Sequence, residues 1–427
     1  MSIRGAGVAV PLDADMRVSL TRLLDDKSVQ GLRCLAVAWR SMPAERDRPA
    51  VDDEQDLVFA GYCVFVDPPK PSAAQAIARL EAAGVRIKII SGDAAPVLRH
   101  IVESLDVPAR GLLTGAEIAK LSDEALAAHA AKTDLFARVS PDQKTRIVRA
   151  LQARGHTVGF IGDGINDAPA IKAADAGVSV DGASDVARAA ADMILLEHDL
   201  EVVADGVAEG RRTYANIMKY IRMGTSSNFG NMLSMALASL FLPFLPLTPI
   251  QVLLNNLLYD VSETGIPFDN VNEREIARPH SWNMHELLRF SLIMGPLSSV
   301  FDIATFVVLL QGFGASAEVF RTGWFVESTV TQILVVFLIR TSLPAWVSWP
   351  NRVLVASSLA TLGVALLLAL SPLGSRLGFG ALPWPILSIM AALGAGYLFM
   401  AEILKRIALP KWHSRARRYG RGLKAAG

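Results

Sequence analysis

The chain has 427 residues, a formal net charge of +1, 52% hydrophobic residues and two cysteines. So small a net charge leaves no electrostatic footprint for nucleic acid, and that class of partner is not expected. The length allows two or three domains, and the hydrophobic share exceeds that of ordinary globular chains because it is concentrated after about residue 219.

In chain order, residues 1–58 are mixed, with one amphipathic segment, "MRVSLTRLLDDKSVQGLRCLAVAWR", whose pattern predicts helix, glycine turn and strand. Alone this stretch is short of core, so it reads as the end of something larger. Cys34 and Cys63 have no metal-ligand spacing and read as reduced core thiols. The first residues lack the pattern of a signal peptide.

From about residue 59 strands and helices alternate: "LVFAGYCVFVD", "SAAQAIARLEAAG", "VRIKIISGD", "VLRHIVESLDV", "LFARVS", "PDQKTRIVRALQARG", "TVGFIGD", "INDAPAIKAADAG", "VSV" and "DMILLE". Short apolar strands between helical stretches predict a parallel sheet covered on both faces. Ligands of such sheets collect at the carboxyl ends of the strands, where "SGD" and "GDGIND" fall.

Apolar stretches follow near 220–242, 249–267, 288–311, 322–340, 352–371 and 384–404. Each approaches the ~20 residues that cross a bilayer core. Six crossings place both ends on one side, and the basic tail "KRIALPKWHSRARRYGRGLK" assigns that side to the cytoplasm. The first two stretches are less apolar than an anchor requires.

Two constellations carry chemistry. In "VGFIGDGINDAPAIKAADAGVSV", Asp163 and Asp167 stand four apart, with Gly162 and Gly164 letting the backbone turn at a strand end. Two carboxylates there suit Mg²⁺, which takes few protein oxygens and keeps water and phosphate. Ser91, Gly92 and Asp93 end another strand, where a hydroxyl and backbone N–H groups can hold phosphate oxygens. Lys144 opens a helix after "SPDQ" and can meet developing negative charge. Taken singly, Ser91 is an ordinary turn residue and Lys144 a solvated helix residue; "GDGINDAP" after an apolar strand is far more specific.

"GDGINDAP", with "SGD" upstream and "SPDQK" between, resembles the phosphorylation domain of P-type cation-transporting ATPases, in the haloacid-dehalogenase-like superfamily. The resemblance implies catalytic Mg²⁺ on Asp163 and Asp167, support from Asn166, a phosphoryl contact from Lys144, and Ser91 with Asp93 beside it. The family's usual Thr is Ser91 here, which keeps the hydroxyl. The family's phosphate acceptor is the Asp of "DKTGT", and no such motif occurs. Asp67 ends "CVFVD", but Pro69 and Pro71 stand where a superfamily nucleophile needs an acid and a Thr. "DPPKPS" instead resembles the family's hinge strand, so the acceptor is expected on another segment.

The second constellation is in the apolar half. Ser227, Asn231 and Ser234 share one helix face, Asn256, Asp260 and Glu263 another, and Asp302 sits mid-way along an apolar run. Acids at bilayer depth usually face a bundle interior and serve an ion path. Asn231 and Asn256 also suit interhelical hydrogen bonding, Glu263 near its span's end reads as solvated in part, and Glu327 as structural. "SSNFGN", "FLPFLPLTPIQVLLNNLLYDVS", "IPFDNV", "GPLSSVFDI" and "GWFV" together look like bacterial magnesium-importing P-type ATPases, over nearly the whole chain. By that resemblance Asn231, Asp260 and Asp302 form the transported-ion site; "SETG" after Asp260 departs from the amide and small apolar residues expected.

The resulting expectation is an α/β haloacid-dehalogenase-like (Rossmann-like) phosphorylation domain at 59–215, after a remnant of the nucleotide-binding domain at 1–58. An all-α membrane bundle of six transmembrane helices and a basic cytoplasmic tail fill 216–427. The resemblance implies the C-terminal half of an ATP-driven Mg²⁺ importer of the cell (inner) membrane, multi-pass with both termini cytoplasmic. It would use Mg²⁺ and ATP, with most of the nucleotide site elsewhere, and the lipid bilayer and a missing N-terminal half would be its partners. A membrane-tethered phosphatase using Asp67, an H⁺ or Ca²⁺ pump half, and a non-catalytic subunit or remnant are the alternatives.

Overall fold

The computed structural model describes residues 2–5, 8–42, 54–66, 68–197 and 199–409. Asp67 and the tail after residue 409 lie outside the described residues. The chain divides into two compact units, Met1–Val207 and Ala208–Gly427.

The first unit begins with β1 (Ser2–Gly5), β2 (Val8–Pro11), α1 (Ala14–Val29), β3 (Arg33–Trp39) and β4 (Val58–Phe65). These strands form one mixed sheet in the order β2-β1-β4-β3. β4 was expected in the parallel sheet; it runs antiparallel to β3 instead, with a register shift at Val37/Ala38. Opposite that shift Gly61 has φ +152°, a backbone state favouring glycine. Cys34 is half-buried and Cys63 exposed, so the free thiols are not core residues.

Next come α2 (Ala73–Ala82), β5 (Ile89–Ile90), α3 (Ala95–Ser104), β6 (Leu112–Thr114), α4 (Gly115–Ile118), α5 (Asp123–Ala130), β7 (Leu135–Ala137) and α6 (Pro141–Ala153). They are followed by β8 (Gly159–Ile161), α7 (Ala168–Ala173), β9 (Ala176–Val180), α8 (Asp185–Ala190) and β10 (Met193–Leu195). The expected parallel strands form two three-stranded ladders, β5-β7-β6 and β10-β9-β8. Ile90 and Val158 pack into the cores of both. α6 serves both cores as well: Ile147 faces Phe136 and Leu126, while the next residue, Val148, faces Phe160 and Ile171. α6 starts where it does because Ser140 and Gln143 make a capping box and Pro141 occupies the first turn.

Behind β7, Asp134 accepts from Arg86 Nε at 2.7 Å and from the Arg110 N–H at 3.0 Å. Burial opposes its charge, but these hydrogen bonds and the charges of Arg86 and Lys88 outweigh it and hold the carboxyl below the ordinary 3.8. The resulting stability is complete above that ordinary value and is lost as pH falls through the lower folded one. Arg86→Ala is expected to move acid unfolding, followed by circular dichroism, to higher pH.

The second unit is helical. α9 (Leu200–Phe241) begins just before the division and runs 42 residues; α10 (Pro249–Glu263), α11 (Glu273–Ile276), α12 (Met284–Val307), α13 (Ala317–Ile339), α14 (Arg352–Leu370) and α15 (Trp384–Ala408) follow. α12 continues as a π-helical turn over Val308–Gly312. Among the described residues four helices are long and apolar enough to cross a membrane: Met284–Gly312, Ala317–Ile339, Arg352–Leu370 and Trp384–Ala408. The count of six therefore does not emerge from length and apolarity. α10 has only 15 residues, and α9 carries Lys219, Arg222 and amides along its length. α13 is the most enclosed of the four. Its Phe320, Trp324 and Phe325 pack with Phe306 and Leu309 in one cluster, and its Val335, Val336 and Ile339 join Met223, Phe290 and Met294 in another.

Candidate phosphoryl-transfer and membrane sites

In the first unit, three parallel strand ends supply the expected residues: Ser91 follows β5, Ser140 and α6 follow β7, and Gly162 follows β8. Ser91 is held by its N–H to Phe136 O at 2.9 Å and its carbonyl to the Val139 N–H at 3.1 Å. Its Oγ donates to Asp93 Oδ2 at 2.9 Å and accepts from the Asp93 N–H at 3.0 Å. Gly92 between them is exposed.

Lys144, in the first turn of α6, donates to Asp167 Oδ1 at 2.6 Å, with both side chains largely buried. Asp167 Oδ2 accepts from the Gly164 N–H at 3.2 Å. Gly162 is required by close approach: a Cβ there would stand 2.5 Å from Asp167 Cβ. Asp163 and Asn166 are exposed, and the Asp163 carboxylate has no hydrogen-bond partner among the described residues. Its carbonyl accepts from the Ser184 N–H at 2.9 Å, which fixes the turn. Lys144, Asp167, Gly162 and Gly164 thus converge, while Ser91 and Asp93 bond to each other rather than to that pair.

No group of three or more His, Cys, Asp or Glu suited to a metal occurs among the described residues. Two carboxylates nevertheless fit Mg²⁺, an ion that binds through one or two protein carboxylates plus water and phosphate oxygens. The open Asp163 carboxylate is the free donor of the pair.

In the helical unit Asp302 is 2% exposed. It accepts from Ser234 Oγ of α9 at 2.5 Å and from Trp324 Nε1 of α13 at 2.8 Å. Asn231, on the same face of α9 as Ser234, accepts from Gln332 Nε2 at 2.8 Å, and Gln332 also donates to Ser328 Oγ at 2.5 Å. Asn231 and Asp302 therefore share a polar seam between α9, α12 and α13. Asp260 does not join it; it is exposed on α10, as is Asn256. One sequence expectation needs correction here. Glu263 is 2% exposed rather than partly solvated. Glu327, read as structural, is buried at 3% with one oxygen unpartnered. The seam residues Trp324, Ser328 and Gln332 were missed; the signal was a stripe, Trp324, Glu327, Ser328, Thr331 and Gln332, at helical spacing inside an apolar run.

Comparison with known proteins agrees with this division of labour. Residues 35–175 match the haloacid dehalogenase-like hydrolase family, and residues 244–407 match the C-terminus of cation transporting ATPases. The "Magnesium-transporting ATPase, P-type 1" of Salmonella typhimurium (strain 14028s) is 46% identical over 411 residues, 94% of this chain and 45% of the relative. Its namesake in Escherichia coli (strain K12) is 45% identical over the same shares. The "Calcium-transporting ATPase" of Bacillus subtilis (strain 168) is 33% identical over 78% of this chain and 38% of the relative. The chain thus spans about half the length of the curated relatives it matches. It is a homologue of the P-type cation-transporting ATPases, with a haloacid dehalogenase-like domain and a helical cation-ATPase C-terminal region, and its likeness to magnesium-transporting members extends over 94% of its length.

Proposed function

We propose that the chain supplies the phosphorylation domain and C-terminal membrane helices of an ATP-driven pump that imports Mg²⁺ across the cell (inner) membrane. The observation that carries this reading is the Lys144–Asp167 contact of 2.6 Å at the carboxyl ends of parallel strands. The names of the magnesium-transporting relatives support Mg²⁺ as the cargo. In this reading the acceptor aspartate, the remaining membrane helices and most of the ATP site come from a segment outside these residues.

Asp163 and Asp167 would hold the catalytic Mg²⁺, with Asn166 supporting the turn and Gly162 and Gly164 giving the backbone its close approach. When bound, the ion neutralises charge on the phosphoryl oxygens being transferred. Lys144 has three N–H donors and uses one on Asp167, which leaves others for a phosphoryl oxygen. Gly92 would offer its N–H to a second oxygen, and Ser91 would join it by turning its single hydroxyl proton, which it gives to Asp93 Oδ2 at 2.9 Å, onto that oxygen.

In the membrane unit, α9 and α10 would be two further, more polar crossings beside the four apolar helices, giving a multi-pass chain with both termini cytoplasmic. Asn231 and Asp302 would serve the transported ion from the seam, and Asp260 from the exposed face of α10, where it is open to ligands from another segment.

The purified chain, incubated with γ-labelled ATP and Mg²⁺, is expected to acquire no acid-stable label. Adding the N-terminal half of a magnesium-transporting relative should restore labelling, on that half. Label on this chain alone would place the acceptor within it, with Asp67 the first candidate, and would favour a tethered phosphatase.

A further inference from the structure

Glu263, in the last turn of α10, has neither carboxylate oxygen hydrogen-bonded, although it is 2% exposed. Tyr259, one turn earlier and 4% exposed, puts its hydroxyl in reach of both Glu263 and Ser227 of α9. No hydrogen bond of proper geometry forms between them, and the Tyr259 hydroxyl and Ser227 Oγ are buried without a partner. Three polar groups on two helices thus adjoin without satisfying one another. Around them Met223, Ile266, Phe290, Met294 and Tyr397 form an apolar wall.

The charged and titratable groups near the trio are few. Asp260 on the same helix acts on Glu263, and Tyr397 of α15 acts on Tyr259. α13 and α14, which also pack on α10, bring no lysine or arginine to Glu263 among the described residues. A carboxylate taken out of water with no cation beside it is not a stable state, so the site must acquire positive charge. Asp260 is exposed to solvent, so Glu263 is the buried carboxylate of the trio, and it balances one charge. A divalent ion would leave a buried excess of positive charge and would find fewer than the six oxygens it prefers.

We infer that Glu263, Tyr259 and Ser227 form a binding site for a singly charged cation, either a proton or a bare alkali-metal ion, separate from the groups proposed for the divalent cargo. The site needs no ATP chemistry. It can therefore fail while the pump reading stands, and the reverse.

The test uses the full chain in detergent micelles, as wild type, Glu263→Gln and Tyr259→Phe. Infrared spectra at neutral pH are compared for a protonated-carboxyl band, and thermal unfolding is compared in Na⁺, K⁺ and N-methylglucamine salts at equal ionic strength. A protonated-carboxyl band present in wild type and lost in Glu263→Gln identifies the proton as occupant. Stabilisation by Na⁺ or K⁺ that Glu263→Gln abolishes identifies an alkali-metal ion, and Tyr259→Phe should then weaken it about tenfold through one lost ligand. Should Glu263→Gln fail to fold, Tyr259→Phe still decides, since it keeps the ring and must shift the band or the ion dependence. An ionised Glu263 with no alkali-ion effect overturns the inference, as does stabilisation through Glu263 by Mg²⁺ alone.

Discussion

Lys144→Ala is expected to slow phosphoenzyme formation by about 10²–10³-fold when the chain is assayed with the complementary half of the pump. The lysine is held in place by the fold: α6 is capped at Ser140, and Asp167 holds the ammonium at 2.6 Å. A preorganised cation costs no rearrangement when charge develops, which is why its loss falls on rate more than on ATP binding. Lys144→Arg should restore little, because a planar guanidinium cannot take the place of a compact ammonium against Asp167. Asp167→Asn keeps the shape of the turn but frees the lysine, and should lower the rate and raise the Mg²⁺ requirement together. The initial rate of acid-stable labelling at saturating ATP is the measurement; an unchanged rate in Lys144→Ala would remove it from the site.

The largest stability effect is expected at Asp269, in the loop after α10. Its carboxylate is fully buried and meets two cations, Lys219 Nζ of α9 at 2.8 Å and the Arg340 guanidinium at the end of α13 at 2.9 Å. The neighbouring backbone completes the cluster: Asn216 Nδ2 donates to the Asp269 carbonyl at 3.0 Å and Lys219 to the Asn270 carbonyl at 2.9 Å. Asp269→Ala leaves both cations buried without their shared counter-charge and should cost ~3–5 kcal/mol. Replacing Lys219, Asp269 and Arg340 together by apolar residues of similar size should recover most of that loss, because the penalty lies in the unpaired charge. Thermal unfolding of the three proteins in one detergent distinguishes the cases; equal stability of Asp269→Ala and the triple variant would contradict this account.

What the sequence determined by itself was local. The turn around Asp163 and Asp167, the capped start of α6 and the four most apolar helices depend on glycine placement, on Ser140, Pro141 and Gln143, and on hydrophobic run length, all written in neighbouring residues. Pairings between distant residues were decided only by the tertiary structure. β4 turned antiparallel to β3 because a strand's partner depends on which edges are free, not on its own pattern. Glu263 read as solvated in part because position along a helix gives depth but not facing. Packing buried it, just as it joined Asp302 to Trp324 and left Asp260 exposed. The cost of a buried charge depends on what stands opposite it, and only the folded chain specifies that.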